Sequence, residues 1–568
     1  MAILSIILWS LLALILLLVL SLTYLWFGVF KKYFNAQVKL ETSRIGSLNT
    51  LENSSSFNKG KTCVVMGGSV GGLLTSLVLS FHYEKVILVE QKKYEEGKST
   101  APHGQQTHVF LYRALTILKK LFGGALGVDF IQEILGIGAY EMTLIYSDFA
   151  QVDGETDHLH GQFEQVPQLV LPNYQMTRGM FEIWVRDKLL QISSGKLSQN
   201  MLGKIEIMEE QRVVGLIFEK SQHHPLDSQT LIHRVVGVKL ENGQEVRGDL
   251  IVDCTGLTTQ TPRYVEDEFK TNLIKFEMPK SKILLTNTYT SVLYKLKDPN
   301  DKEGFYKKKD GKTPVWFHLG SIGAPSKIGI IFYRVSQDMG MFILGEVGKN
   351  PSCTSIKSPQ DCVEYLEQRC PELAKKAQYF FDKCDTENGV VRDWMNYKKD
   401  GTVFNHWEEV NNHKDETGKR HVLENFIALG DSVGSLNPVY GQGITCICES
   451  ELILDEILRR PHKNAQSPWT AETCQEFQER VKNIYMPAYF LATTVDLQHE
   501  EAKGGSWWYR NIYLKYFAPD LKQLALASKV DPYVRITFNN VNHMMEGYLY
   551  KMLDRKYRAR CKNPVNHW

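Results

Sequence analysis

The stretch from Thr62 to Glu90 constrains this chain more than any other. Cys63 to Met66 is an apolar strand that runs into Gly67-Gly68-Ser69-Val70-Gly71-Gly72. A helical stretch follows, then a second apolar strand, Val86 to Val89, ending in Glu90. Strand, glycine turn, helix and strand within about 30 residues make a βαβ unit, which belongs to a parallel sheet. Gly67 permits the tight turn out of the strand. Small residues at 68 and 69 let a backbone approach a pyrophosphate, and Gly72 lets the helix pack close to the strand. The helix N-terminus then turns its free amides and dipole toward the phosphates. Glu90 lies 18 positions after Gly72 and can accept both ribose hydroxyls. An acid there favours FAD or NAD over NADP. The usual middle glycine is Ser69 here, and a glycine-rich turn without ligand is the competing reading.

A second glycine-rich site lies far along the chain. Phe426 to Leu429 reads as a short strand ending in Gly430-Asp431. A loop with Asn437-Pro438 and Gly441-Gln442-Gly443 then opens a helix over 442–460. Asp431 can accept from the ribityl hydroxyls of a flavin. The amides near Gly441 to Ile444 can stabilise charge on the reduced ring. Alone this could be a tight turn and a helix cap. Paired with the first motif it points to FAD. A third strand, Asp249 to Cys254, closed by Gly256, should pack beside the first and close the crevice.

The N-terminus is of another kind. Ile3 to Phe30 carries no charge and is rich in Leu and Ile. A helix needs roughly 20 apolar residues to cross a bilayer, so residues 1–30 read as a single transmembrane anchor. A cleaved signal peptide fits less well, because the run is long and lacks a basic start and a small-residue cleavage site. Lys31, Lys32, Lys39, Arg44, Lys59 and Lys61 then outnumber Glu41 and Glu52. That bias places the folded bulk in the cytosol, with the endoplasmic reticulum as one plausible membrane.

Composition excludes several classes. The 66 basic and 64 acidic residues leave a net charge of +2, which gives no electrostatic case for nucleic acid. The ten cysteines form no CxxC pair and no Cys/His ligand spacing, so no metal site is expected and the thiols read as reduced. The organisation expected is 1–30 anchor, 31–60 polar linker, 61–265 first part of the FAD-binding domain, 266–390 substrate domain, 391–465 second part of the FAD-binding domain, and 466–568 helical C-terminal region. The β-branched and aromatic stretch 280–345 reads as antiparallel strands, with 359–383 helical after it. Trp316, Phe317, Phe332 and Tyr333 read as core. The aromatic and basic stretches 505–517 and 548–562 read either as a packed helical segment or as a surface touching lipid headgroups.

Gly430 to Thr445, Asp249 to Glu266 and Pro102 to Phe122 together resemble the class A flavin-dependent monooxygenases of the p-hydroxybenzoate hydroxylase type. The likeness is strongest to the branch that holds bacterial polyene epoxidases. It runs from 61 to about 550 and leaves the N-terminal helix outside. The chain departs from that pattern at Leu257, at His103 and at Gln106, where the family usually has Arg, Gln and His. The resemblance implies an α/β fold: a Rossmann-like, glutathione-reductase-type FAD domain with an inserted antiparallel substrate sheet. It places Arg178 by the cofactor and makes His108 a candidate contact near the flavin ring; a helix-terminal histidine with a satisfied hydrogen bond is the alternative. It further implies non-covalent FAD, an NAD(P)H electron donor, molecular oxygen and a flavin C4a-hydroperoxide that oxidises an apolar small molecule by epoxidation or hydroxylation. Two other readings stay open: an isoprenoid double-bond reductase of the geranylgeranyl-reductase kind, and a flavin-binding membrane protein without turnover. No WxWxIP segment of the flavin halogenases occurs.

Overall fold

The structure is a computed structural model. It describes residues 15–18, 21, 60–143, 172–196, 203–307, 314–320, 327–348, 351–460, 468–517, 524, 527, 531–542, 544 and 554–563, apart from 96, 101–103, 105, 220–221, 225–226, 273, 316 and 508. The first βαβ unit forms as read: β1 (Thr62–Met66), α1 (Val70–Ser80) and β2 (Lys85–Val89). Next come β3 (Thr107–Phe110), α2 (Tyr112–Leu126), α3 (Arg178–Ser193), β4 (Lys204–Met208) and β5 (Leu250–Asp253). The middle of the chain forms β6 (Lys280–Lys295), β7 (Phe317–Gly320), β8 (Ile328–Arg334) and β9 (Met339–Val347). Two helices, α4 (Pro359–Glu367) and α5 (Pro371–Lys383), precede β10 (Val390–Asn405), β11 (Phe426–Ala428) and β12 (Gly434–Ser435). The last long helices are α6 (Gly443–Leu458) and α7 (Ala471–Asp496).

One sheet is parallel, in the order β11-β5-β1-β2-β4. Val64 pairs with both Ile87 and Ile251, so β1 sits in its middle. Its residues 63–66 are buried on both faces, which is why the strand is apolar throughout rather than alternating. The second sheet is antiparallel, in the order β7-β8-β9-β6-β10-β12. Its back face is closed by α4 and α5, where Tyr294, Phe332 and Phe342 pack with Leu366, Phe380 and Phe381. Pro371 at the start of α5 ends the preceding helix, so the helical stretch 359–383 is a pair rather than one rod.

Residues 390–405, of which 391–405 were assigned with the second FAD-binding segment, form β10 and bond along β6 in the antiparallel sheet. The alternation of β10 with the long strand 280–295 is a long-range pairing that no local signal announces.

The expected anchor falls almost wholly outside the described residues. Ile15, Leu16, Leu17 and Leu18 are helical and 53 to 62% exposed. Among the described residues no helix is long and apolar enough to cross a membrane. In the C-terminal stretch, Tyr509 is buried and its hydroxyl meets those of Thr493 and Thr494 on α7, whereas Trp507 is 71% exposed. All ten cysteines are free thiols.

Candidate cofactor and substrate site

Three adjacent parallel strands, β1, β5 and β11, deliver their C-terminal ends to one place. Gly67 follows β1, Cys254 to Gly256 follow β5, and Gly430-Asp431 follow β11. The ends touch. A Cβ on Gly67 would lie 2.6 Å from the Cys254 carbonyl oxygen, and one on Gly256 would lie 4.0 Å from the Asp431 Cβ. Ligands of open α/β sheets bind outside such strand ends.

The glycine loop is built as its chemistry requires. Gly67 has φ +95° and donates to the Val89 carbonyl at 2.8 Å. A Cβ on Gly72 would lie 1.8 Å from the Gly67 oxygen, so only glycine lets α1 seat on the turn. Gly68 donates its N–H to Glu90 at 2.6 Å, and its carbonyl accepts from the Tyr94 hydroxyl at 2.7 Å. Burial raises the Glu90 carboxyl, opposed by the Gly68 and Lys92 amides that donate to it. Ser69 donates to Glu182 at 2.7 Å and accepts from Arg178 at 3.0 Å. The predicted Arg178 is therefore at the glycine loop. Gly71 faces open space apart from the Ile447 methyl at 3.8 Å.

The second loop is equally specific. Gly430 and Gly441 take positive φ, +74° and +65°, and Gly441 donates to the Pro438 carbonyl at 3.0 Å. Gln442 is buried at the start of α6, and Gly443 meets no atom within 4 Å of a Cβ position. Neither α1 nor α6 has a side-chain cap or an acidic residue in its first turn. Among the described residues, neither helix N-terminus is neutralised by a side-chain cap or a first-turn acid, so both present a positive dipole end. These features fit FAD: a phosphate-accepting cradle at 67–72, an acid at 90 for ribose, and a second amide cradle at 441–443.

The antiparallel sheet covers this region with polar side chains. The Tyr289 hydroxyl meets Asn437 at 3.4 Å, and Asn437 donates to Asp496 on α7 at 2.9 Å. Burial pushes Asp496 up to about 6, against its bonds from Asn437 and Thr402 and the charge of Lys399. Lys399 donates to Ser435 at 2.8 Å. Burial lowers its ammonium pKa, opposed by Asp431 and Asp496. Tyr397 lies within electrostatic reach of both Asp431 and Arg178; burial and the Asp431 carboxylate raise its phenol while Arg178 lowers it.

His108 sits within β3, opposite Met176, not at a helix terminus. The next residue's carbonyl lies 3.6 Å from the Cβ position of Gly441, which puts β3 beside the second loop. Pro102 and His103 lie outside the described residues. Gln106 donates to Ser291 on β6 at 2.9 Å. The sequence reading missed Tyr289, Asp496, Lys399, Tyr397 and Glu182. Glu182 and Asp496 had a signal, since the stretches 176–189 and 489–498 also resemble the class A pattern, and Tyr289 falls in the stretch 280–345 read as antiparallel strands. Among the described residues, His406, Glu408 and Glu409 could together hold a cation. That histidine already meets Ser281 at 2.7 Å, and Lys482 pairs with Glu408 at 2.6 Å.

With that geometry, comparisons with known proteins become informative. No family model matches the chain. A stretch of 204 residues is 24% identical to Protein Rv3254 of Mycobacterium tuberculosis (strain ATCC 25618 / H37Rv), spanning 35% of this chain and 38% of that one. The chain thus matches well under half of that relative's length. Among solved structures it is similar to the flavin-dependent brominase Bmp2, with TM-score 0.51 and 13% identity over 89% of this chain and 97% of that one. The 2-methyl-3-hydroxypyridine-5-carboxylic acid oxygenase gives TM-score 0.47 and 13% identity over 84% and 97%. The fold assignment rests on Bmp2. This chain has the two-sheet α/β architecture of that flavoenzyme, and at this identity the likeness is one of fold.

Proposed function

We propose that the chain is an FAD-dependent monooxygenase acting on a lipophilic small molecule. The observation that carries this reading is the meeting of the 67–72 and 430–443 loops at the ends of three neighbouring strands, each loop opening an uncapped helix. Glu90 would take the ribose of the adenosine half. The amides of Gly68 to Gly72 would take the pyrophosphate, and Asp431 the ribityl chain. Arg178 is poised to steady the phosphates through the same loop. Bound FAD, once reduced by NAD(P)H, supplies the electrons that activate molecular oxygen. The protein's part is to orient substrate and exclude water. Tyr289 of β6 is tied to Asn437 and Lys399 of β10 to Ser435, which fixes the position of these two side chains. The exposed apolar helix at 15–18 supports the proposal that residues 3–30 anchor the chain in a bilayer, with the folded bulk on the cytosolic side. An anchored enzyme would draw its substrate from the membrane.

The test is isotopic. The full-length holoprotein in detergent is given NADH or NADPH, oxygen-18 gas and a panel of polyprenyl, sterol and fatty-acyl alkenes. The expected result is nucleotide consumption stimulated by one lipid class and a product carrying one atom of oxygen-18. A product hydrogenated at the double bond without oxygen would replace this reading with a reductase. Bound FAD with no turnover of any kind would contradict both.

A further inference from the structure

Arg392 on β10 is an unusual residue for the middle of a sheet. It stands opposite Leu293 of β6 and donates through Nη2 to the Ser291 hydroxyl at 2.9 Å. Ser291 also accepts from Gln106, whose carbonyl accepts the Arg178 N–H at 2.9 Å. The guanidinium therefore lies on the sheet face turned toward the nucleotide loops. Its Nε and Nη1 are shut off from water and meet no acceptor among the described residues. Arg392 as a whole is only partly buried. Its cross-strand partner Leu293 belongs to a small apolar cluster with Tyr333, Val335 and Met341, with Ile331 and Ile343 at its border. Burial lowers the Arg392 pKa to about 10, so the side chain stays charged at neutral pH.

A buried cation with unmet N–H groups is costly unless an acceptor arrives. Guanidinium N–H groups pair best with carboxylate oxygens, because both partners are charged and planar. We propose that Arg392 binds the carboxylate of the substrate, with the apolar part of that molecule lying against the Leu293–Met341 cluster. The substrate would then be a lipophilic acid rather than a neutral lipid. The inference rests on the reading of this region as the substrate side of an FAD site, and it names a positioning group for that substrate. Ser291, itself bonded to Gln106, holds the guanidinium in place.

Calorimetric titration of the full-length protein tests it, with dodecanoate against dodecanol and 4-phenylbutyrate against 4-phenylbutanol. In the wild type at least one acid should bind about tenfold or more tighter than its alcohol. In Arg392→Gln that ratio should fall to within about twofold, with FAD content and melting temperature unchanged. Arg392→Lys keeps the charge and should retain part of the preference; it also serves if the glutamine variant folds poorly. No acid preference in the wild type, or a preference that survives in Arg392→Gln, would overturn the proposal. Calorimetry needs no flavin signal, so a protein that lacks FAD but prefers acids through Arg392 would sink the flavin reading alone.

Discussion

Replacing Gly72 by alanine should abolish flavin binding and destabilise the fold. The added Cβ would lie 1.8 Å from the Gly67 oxygen and 3.0 Å from the Gly67 carbonyl carbon. Both are backbone atoms of the turn itself, so no side chain can swing aside. Either α1 lifts off β1 or the turn opens and the Gly67 bond to Val89 breaks. Overpacking of this kind costs about 1–3 kcal/mol, and more where the backbone must move. Gly443→Ala is the matched control. Its Cβ meets nothing within 4 Å, so the fold should hold. The new methyl group fills the second cradle, and FAD affinity should drop by about tenfold or more. Thermal denaturation of the apoprotein and fluorescence titration with FAD separate the two effects. Wild-type behaviour of Gly72→Ala would mean that α1 does not pack as described.

Glu451→Gln should remove a large pH dependence of stability. Glu451 on α6 is fully buried; one carboxyl oxygen accepts from Thr75 at 2.6 Å, and the other has no partner among the described residues. Burial, against the Thr75 bond and with help from Asp455, raises its pKa from 4.5 to about 8. The sign follows from proton binding. Below pH 4.5 the carboxyl is protonated in both states and costs nothing. Between 4.5 and 8 the unfolded chain releases the proton while the folded chain keeps it, so stability falls as pH rises. Above 8 the loss is complete. Each tenfold difference in proton affinity between the two states is worth about 1.4 kcal/mol, which makes the cost on the order of 5 kcal/mol. Chemical denaturation from pH 5 to 9 should show the wild type losing ground to Glu451→Gln across that window. Parallel curves would place the proton elsewhere in the buried cluster.

Both predictions concern residues whose legibility differed. Gly72 was readable because its constraint is local: the strand, turn and helix lie within thirty positions, and each residue's role follows from backbone geometry. Glu90, Gly430 and the Gly441–Gly443 loop were readable for the same reason. Glu451 was hidden inside an apolar helix pattern, where a buried acid carries no periodic signature. The substrate side was hidden more deeply. Ser291 and Arg392 meet across 101 positions, and Asn437 and Asp496 across 59. Which residues of β6 and β10 share a face depends on the register shift between Ser291 and Leu293. A one-residue slip would turn every side chain over. Tyr333, read from sequence as core, faces the Arg392 cluster, whereas its neighbour Phe332 faces α5. Alternation along the strand separates them, and only the pairing says which is which.

The most direct test of the central claim, that the two glycine loops form one FAD site, is a comparison of whole and divided ligands. The purified full-length chain, stripped of nucleotide, is titrated with FAD, FMN and ADP-ribose. A site that grips adenosine at Glu90 and the flavin half at Gly441–Gly443 should bind one FAD per chain, about 100-fold or more tighter than either fragment. FMN binding as tightly as FAD, or a colourless chain that takes up no FAD, would contradict the account.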